Sequence, residues 1–284
     1  MNYFIVNPIS GSVSSAKRQN LIDKITKFPE NKILITQSKN DASKLANISI
    51  EEGAKKIIAV GGDGTVREIA SSLVNSNIPM GIIPMGSGNG LANHLKIPKN
   101  LDFAINLAMT GQSKKVDVGQ VNDYIFLCTA GFGFDANVAK KFASMEKRGL
   151  LGYLKAIFLA YRGFQPISAN LDKNKIENFF ILTFANTNQY GNNAFISPNS
   201  SVIDGKLEMV QVRKSSLNSH LSIAVRLFFK NLHKSENVNI FSIQNLKLKL
   251  KPPYFFHLDG DYIPEFQPET INVNVIPKAI SIIY

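Results

Sequence analysis

The run Gly61-Gly62-Asp63-Gly64-Thr65 brings together residue types that suit a polyphosphate. Glycines accept positive φ and let backbone close on a ligand with no Cβ in the way. Before it lies the wholly apolar Ile57–Val60; after it Val66, Ile69, Ala70, Leu73 and Val74 form one helical stripe at i, i+3, i+4, i+7, i+8. The pattern is a buried strand, a turn and a helix. The N–H groups at a helix start favour an anion, and the helix dipole adds to this. Thr65 can donate a hydroxyl to a phosphate oxygen. Asp63 would repel phosphates unless a cation lay between, and Mg²⁺ would serve. The plain alternative is a tight strand-to-helix turn with Asp63 as the helix cap.

Two similar turns lie in the same half: Asn7-Pro8-Ile9-Ser10-Gly11 after Tyr3–Val6, and Pro84-Met85-Gly86-Ser87-Gly88-Asn89-Gly90 after Met80–Ile83. In an open α/β sheet, turns at the carboxyl ends of strands line one edge, where ligands bind. The three turns are therefore expected to converge. They match neither the Walker loop nor the dinucleotide fingerprint.

The elements that must position these turns alternate strand and helix over residues 1 to about 116. A helix presents Leu21, Ile25 and Phe28; Ile33–Thr36 is a strand; Asp41 is a candidate cap for a helix carrying Ala42, Leu45 and Ala46. A helix from Leu101 to Thr110 ends at Gly111, a natural left-handed cap. Beyond 116, strand-like runs joined by turns (116–121, 124–129, 167–171, 179–185, 207–212, 238–241, 246–250, 271–275) predict an antiparallel sandwich or barrel. Helical stretches at about 135–162 and 216–232 interrupt it. The fold class is thus an N-terminal open α/β layer, residues 1–116, followed by an antiparallel β-sandwich with helical insertions, residues 117–284, the last residues being allowed to return to the first domain.

Composition bounds the rest. The apolar fraction of 44% is that of a globular chain, and no run is long enough to span a membrane as a helix. The N-terminus runs straight into Tyr3–Val6, so no secretion signal is expected. The single Cys128, in an apolar strand, reads as a buried thiol and fits a reducing cytoplasm. The net charge of +11 favours a polyanionic partner or a merely solubilising surface. No basic run is interleaved with aromatics, so nucleic acid is not expected. His94, His220, His233 and His257 show no ligand spacing.

Several motifs outside the turns bear on identity. These are Gly131-Phe132-Gly133-Phe134-Asp135-Ala136, Asp204-Gly205-Lys206-Leu207 and His257-Leu258-Asp259-Gly260-Asp261. Together with the three turns and Glu68, their order and spacing resemble the diacylglycerol kinase catalytic-domain family, which includes bacterial lipid kinases, sphingosine kinases and ceramide kinases. The resemblance runs nearly end to end. It implies ATP and Mg²⁺, and a cleft between two domains where ATP meets a lipid hydroxyl. By the same resemblance Asn7, Ser10, Gly11, Thr36, Gly61, Gly62, Asp63, Gly64, Thr65, Glu68, Gly86, Ser87 and Asn89 would serve the nucleotide. Asp261 would be the proton acceptor with Asp63 as rival, Asp135 would lie near the lipid head group, and Asp204 would hold a second, structural metal. The implied enzyme is cytoplasmic, meets its lipid at a membrane surface by peripheral contact, and is compatible with a homodimer.

Two departures stand out. Gly90 replaces an acidic residue common in bacterial diacylglycerol kinases, and Asp261 replaces Glu, retracting the carboxylate by one methylene. Each late motif also has a plain reading: Asp259-Gly260 and Asp204-Gly205 as hairpin turns, Asp135 as a helix cap. The apolar segment Leu150–Phe164 and the helix bearing Arg226, Phe228, Phe229 and Lys230 could touch lipid or simply pack on the sandwich. Alternatives of function are a kinase of a soluble substrate such as NAD, or a nucleotide-binding regulator that has lost catalysis.

Overall fold

The computed structural model describes residues 1–11, 15–28, 30–145, 150–172 and 175–284. Residues 146–149 of the expected helical stretch, and the side chains of Leu150 and Leu151, lie outside it. The chain divides into two compact units: Met1–Val116 with Lys278–Tyr284, and Asp117–Pro277.

The first unit alternates β1 (Asn2–Val6), α1 (Ser15–Ile25), β2 (Asn31–Ile35), α2 (Asp41–Glu51), β3 (Lys56–Gly61), α3 (Asp63–Leu73), β4 (Met80–Pro84), α4 (Gly90–His94) and α5 (Leu101–Thr110). Its strands pair in parallel in the order β2-β1-β3-β4. Wholly apolar strands are the signature of a parallel sheet covered on both faces, and Ile57, Ile58, Ala59 and Val60 are all sealed from water. Leu21 and Ile25 of α1 and Ala104, Ile105 and Ala108 of α5 pack with Phe4, Val6, Ile58, Val60 and Ile83 in one core.

Two caps differ from the sequence expectation. Asp41 is not the N-cap of α2: Asn40 is, in the left-handed conformation without a capping side chain, and Asp41 instead accepts the Gln37 N–H at 2.8 Å. Gly111 is extended (φ −68°, ψ 162°) rather than left-handed, because the chain passes at once into the next strand. A Cβ there would stand 2.6 Å from the Leu107 carbonyl oxygen, which is why glycine serves.

The chain continues through β5 (Ser113–Val121), which enters the second unit, β6 (Tyr124–Phe126), β7 (Thr129–Gly133), α6 (Phe134–Ala143), α7 (Leu150–Tyr161), β8 (Ile167–Asp172), β9 (Lys175–Ala185), β10 (Leu207–Arg213), α8 (Leu217–Phe228), β11 (Val238–Ile243), β12 (Asn245–Leu250), β13 (Phe256–Leu258), β14 (Asp261–Tyr262) and β15 (Thr270–Ile283), whose end returns to the first unit. Neighbours run β14-β13-β7-β9-β8-β12-β15, and β10 pairs with β9 and β11, all antiparallel. Side-chain alternation splits its apolar residues into two cores. Phe132 and Phe256 join Leu182, Phe184, Leu207, Leu248 and Ile271 on one face. Ile181, Ala185, Val210 and Val212 face the other way, onto Phe134 and Val138 of α6 and Ala156 and Ala160 of α7. Cys128 is buried. Among the described residues no helix is long and apolar enough to cross a membrane.

Candidate active site

In the first unit the three turns leave β1, β3 and β4 at matched heights, since Val6 pairs with Val60, Val60 with Ile83 and Gly61 with Pro84. They then pack directly on one another. A Cβ built on Gly86 would lie 2.5 Å from the Gly62 Cα, and one on Gly11 2.3 Å from the Met85 carbonyl oxygen. Only glycine lets these backbones approach so closely. Across the turns, Asn7 Nδ2 donates to Thr65 Oγ1 at 2.9 Å. Thr65, buried, thereby receives a hydrogen bond and keeps its own proton to give. The N–H groups of Asp63, Gly64 and Thr65 precede the first intrahelical bond of α3, from Val66 N–H to the Gly62 carbonyl oxygen.

Asp63 answers the question its charge raised. Its Oδ1 accepts the N–H of Gly90, the first residue of α4, at 2.7 Å, and its Oδ2 stands close to Gly88. Gly62, not Asp63, is the N-cap of α3. Asn89, left-handed at φ 50°, folds the third turn on itself: Oδ1 accepts the Gly86 N–H at 2.9 Å and Nδ2 donates to the Gly86 carbonyl at 2.8 Å. Ser87 is exposed at its tip. Glu68 accepts the N–H groups of Asn40 and Ala42, both at 3.2 Å, and so holds the start of α2. Thr36 is buried and joins the sheet through its N–H to Val6.

Mg²⁺ keeps several waters and is held by one or two carboxylates together with substrate phosphates. Asp63, with one oxygen committed to a backbone N–H and the other beside the glycine turns, fits that donor pattern. Among the described residues no group of three or more His, Cys, Asp or Glu could hold a metal without a ligand's help.

The second unit holds a polar cluster that local sequence did not reveal. His257, Gly131 and Thr183 are cross-strand neighbours on β13, β7 and β9, all on the face that α6 covers. Asp135, in the first turn of α6, sets Oδ2 among Thr183 Oγ1, Tyr190 OH (3.0 Å) and His257 Nε2 (3.1 Å). A Cβ on Gly131 would lie 2.5 Å from both that carboxylate oxygen and His257 Nε2, so the glycine is the floor of the cluster. The Gly260 N–H points at His257 Nδ1 (3.4 Å), which assigns the ring proton to Nε2, facing Asp135. Burial, and then the Asp135 charge, hold the Tyr190 phenol well above its usual range, so it stays a donor. Asp135 is not the helix cap: Gly133 is. His257, Thr183 and Tyr190 escaped sequence reasoning because their partner is distant in the chain.

Asp259 and Gly260 form a two-residue hairpin turn, both with positive φ, between β13 and β14, and Asp261 opens the return strand, half-buried. Asp259 does more than turn the chain. Its Oδ1 accepts the N–H groups of Cys128 (2.7 Å) and Thr129 (3.0 Å), and its Oδ2 that of Leu127 (3.0 Å). Asp204 is exposed, and its Oδ1 accepts the Lys206 N–H at 3.0 Å in a local turn. The neighbouring Gly205 N–H goes to the buried Asp117 at 2.7 Å. A lone carboxylate between Val116 and Val118 in a strand was the available signal for Asp117.

The comparisons agree with this architecture. Residues 2–121 match the model of the diacylglycerol kinase catalytic domain, and residues 128–284 that of the YegS C-terminal NAD kinase beta sandwich-like domain. The chain belongs to the kinase family in which these two domains are joined. It is 27% identical, over 94% of its length and 92% of the relative's, to a "Probable lipid kinase YegS-like" of Enterobacter sp. (strain 638). A diacylglycerol kinase of Mycobacterium tuberculosis is 25% identical over 86% of this chain and 81% of its own. In fold it is similar to a solved diacylglycerol kinase from Bacillus anthracis str. Sterne, with a TM-score of 0.71, 18% identity, and coverage of 100% of this chain and 96% of that one.

Proposed function

We propose that this chain is an ATP-dependent lipid kinase that transfers the γ-phosphoryl group to the hydroxyl of a diacylglycerol- or sphingoid-type lipid at a membrane surface. The observation that carries the phosphoryl-transfer half is the interlock of three glycine turns around Thr65 and Asp63. Phosphoryl transfer asks mainly for positioning and charge neutralisation. The N–H groups of Gly62–Thr65 and the Thr65 hydroxyl cradle phosphate oxygens; Asn7, Ser10, Gly11, Gly86, Ser87 and Asn89 shape the cradle; Glu68 acts through the 36–42 segment it holds. Asp63 would be the protein donor to Mg²⁺, which would supply charge neutralisation on the phosphates. Asp261 accepts the proton of the acceptor hydroxyl, and Asp135, whose Oδ1 already accepts the Ala136 N–H at 2.8 Å, meets the polar head of the lipid through that oxygen's second lone pair. Asp204 would be the protein donor at a second, structural metal position. The lipid half is supported by the relatives named lipid or diacylglycerol kinase.

The test is γ-labelled ATP and Mg²⁺ offered with diacylglycerol, sphingoid bases and NAD in parallel. Label is expected in a lipid. Label in NAD alone, the substrate suggested by the name of the second domain, would overturn the reading. Asp63→Asn is expected to lower turnover by about a thousandfold while the melting curve stays in place. Unchanged turnover would remove Asp63 from the mechanism.

A further inference from the structure

One helix of the second unit carries an apolar face that its own core does not use. α8 packs inward through Ile223, with Leu227 against the same cluster. Leu217, Leu221, Val225 and Phe228 are 52%, 57%, 57% and 55% exposed, and Phe229, which follows, is 71% exposed. Their spacing of i, i+4, i+8, i+11 makes one stripe along the helix. Single exposed apolar residues are ordinary, but a continuous stripe ending in two phenylalanines marks a contact surface.

The charges around the stripe choose the occupant. From Arg213 to Ser235 the chain carries Arg213, Lys214, Arg226, Lys230 and Lys234, and neither Asp nor Glu. A second copy docked face to face would set these cations against themselves. The neighbouring helix extends the same character. Leu154 and Phe158 of α7 are exposed, Leu150–Leu171 has Lys155 and Arg162 and no acid, and the Tyr161 hydroxyl meets His220 of α8 at 3.1 Å. An apolar stripe whose own segment, 213–235, carries cations and no acid is complementary to an anionic bilayer, where apolar side chains enter the acyl boundary and Lys and Arg meet head-group phosphates; the first acid beyond it is the exposed Glu236.

We infer that α8 is an interfacial helix that seats this chain on anionic phospholipid membranes. The surface goes beyond the phosphoryl-transfer reading and is argued from exposure and charge alone. Its test is sedimentation of the full chain with vesicles, without nucleotide. The vesicles are phosphatidylcholine alone, or phosphatidylcholine with about a third phosphatidylglycerol. The wild type is expected on the anionic vesicles. Leu221→Gln with Phe229→Gln should lower the partition by about tenfold or more, as should Lys214→Glu with Lys230→Glu and Lys234→Glu. Ile203→Gln, at another exposed apolar position, should change nothing, and all variants should melt with the wild type. Wild-type protein left in the supernatant would overturn the inference. So would loss of binding in the charge variant alone, which would mean simple electrostatic adsorption. Conversion of a dimer to a monomer by the apolar variant, with vesicle binding intact, would overturn it in favour of self-association. Vesicle binding without label transfer to any lipid would sink the kinase reading and leave this one standing.

Discussion

Asp259 shows how much one side chain can do away from the chemistry. Its carboxylate gathers three successive backbone N–H groups at 127–129, just ahead of the strand that carries Gly131 and leads to Asp135. Hydrogen bonds to an ionised group are the strong ones, and leaving buried N–H groups unmet is costly. Asp259→Ala is therefore expected to destabilise the second unit by about 3 kcal/mol or more, read as a lower denaturant midpoint, with Asp259→Asn recovering part of the loss. A midpoint unchanged in Asp259→Ala would mean that water replaces the carboxylate. The turn itself was legible, because Asp-Gly between apolar runs is a hairpin signal. The clamp was not, since its partners lie 130 to 132 residues upstream. His257 was missed for the same reason: its meaning lies in Asp135, 122 residues away.

At the scale of elements, the glycine turns are held by close contact with one another as well as by hydrogen bonds within and across them. Gly86 and Gly62 meet nearly backbone to backbone, and a methyl on Gly86 would stand 2.5 Å from the Gly62 Cα and 2.8 Å from Asn89 Oδ1. Gly86→Ala should therefore part the second and third turns. ATP affinity is expected to fall by about a hundredfold or more, measured by titration calorimetry, with β3 and β4 still paired. Affinity within twofold or so of wild type would show that the turns can separate without harm to the site. The strand-turn-helix order was legible from apolar runs and glycines. Cap details at Asp41 and Gly111 were not, because the direction in which the chain leaves a helix depends on what it joins next.

For the whole molecule, the C-terminal strand is the decisive element. β15 runs from the second unit into the first, where Ile282 pairs with Met80 of β4 and the Ala279 carbonyl accepts the Asn75 N–H at 2.8 Å. Ala279, Ile280, Ile282 and Ile283 are all at most 1% exposed. Burying each isoleucine contributes about 1.5–3 kcal/mol, so losing three of them rivals the total stability of a small domain. Deleting Lys278–Tyr284 is expected to leave the first unit protease-sensitive and unable to bind nucleotide. Retention of both properties would show that β1–β4 and their helices suffice.

By itself the sequence determined the period of each element, the turns that only glycine can make, and the order of motifs that places the chain in its family. These are local matters: backbone freedom, apolar periodicity and the chemistry of neighbouring residues. Tertiary structure alone decided that Asp63 rests on the Gly90 N–H, that Asp135 is ringed by Thr183, Tyr190 and His257, and that the stripe on α8 is left uncovered. Those outcomes depend on which faces and chain ends folding brings together, and residues far apart in sequence carry no local sign of it.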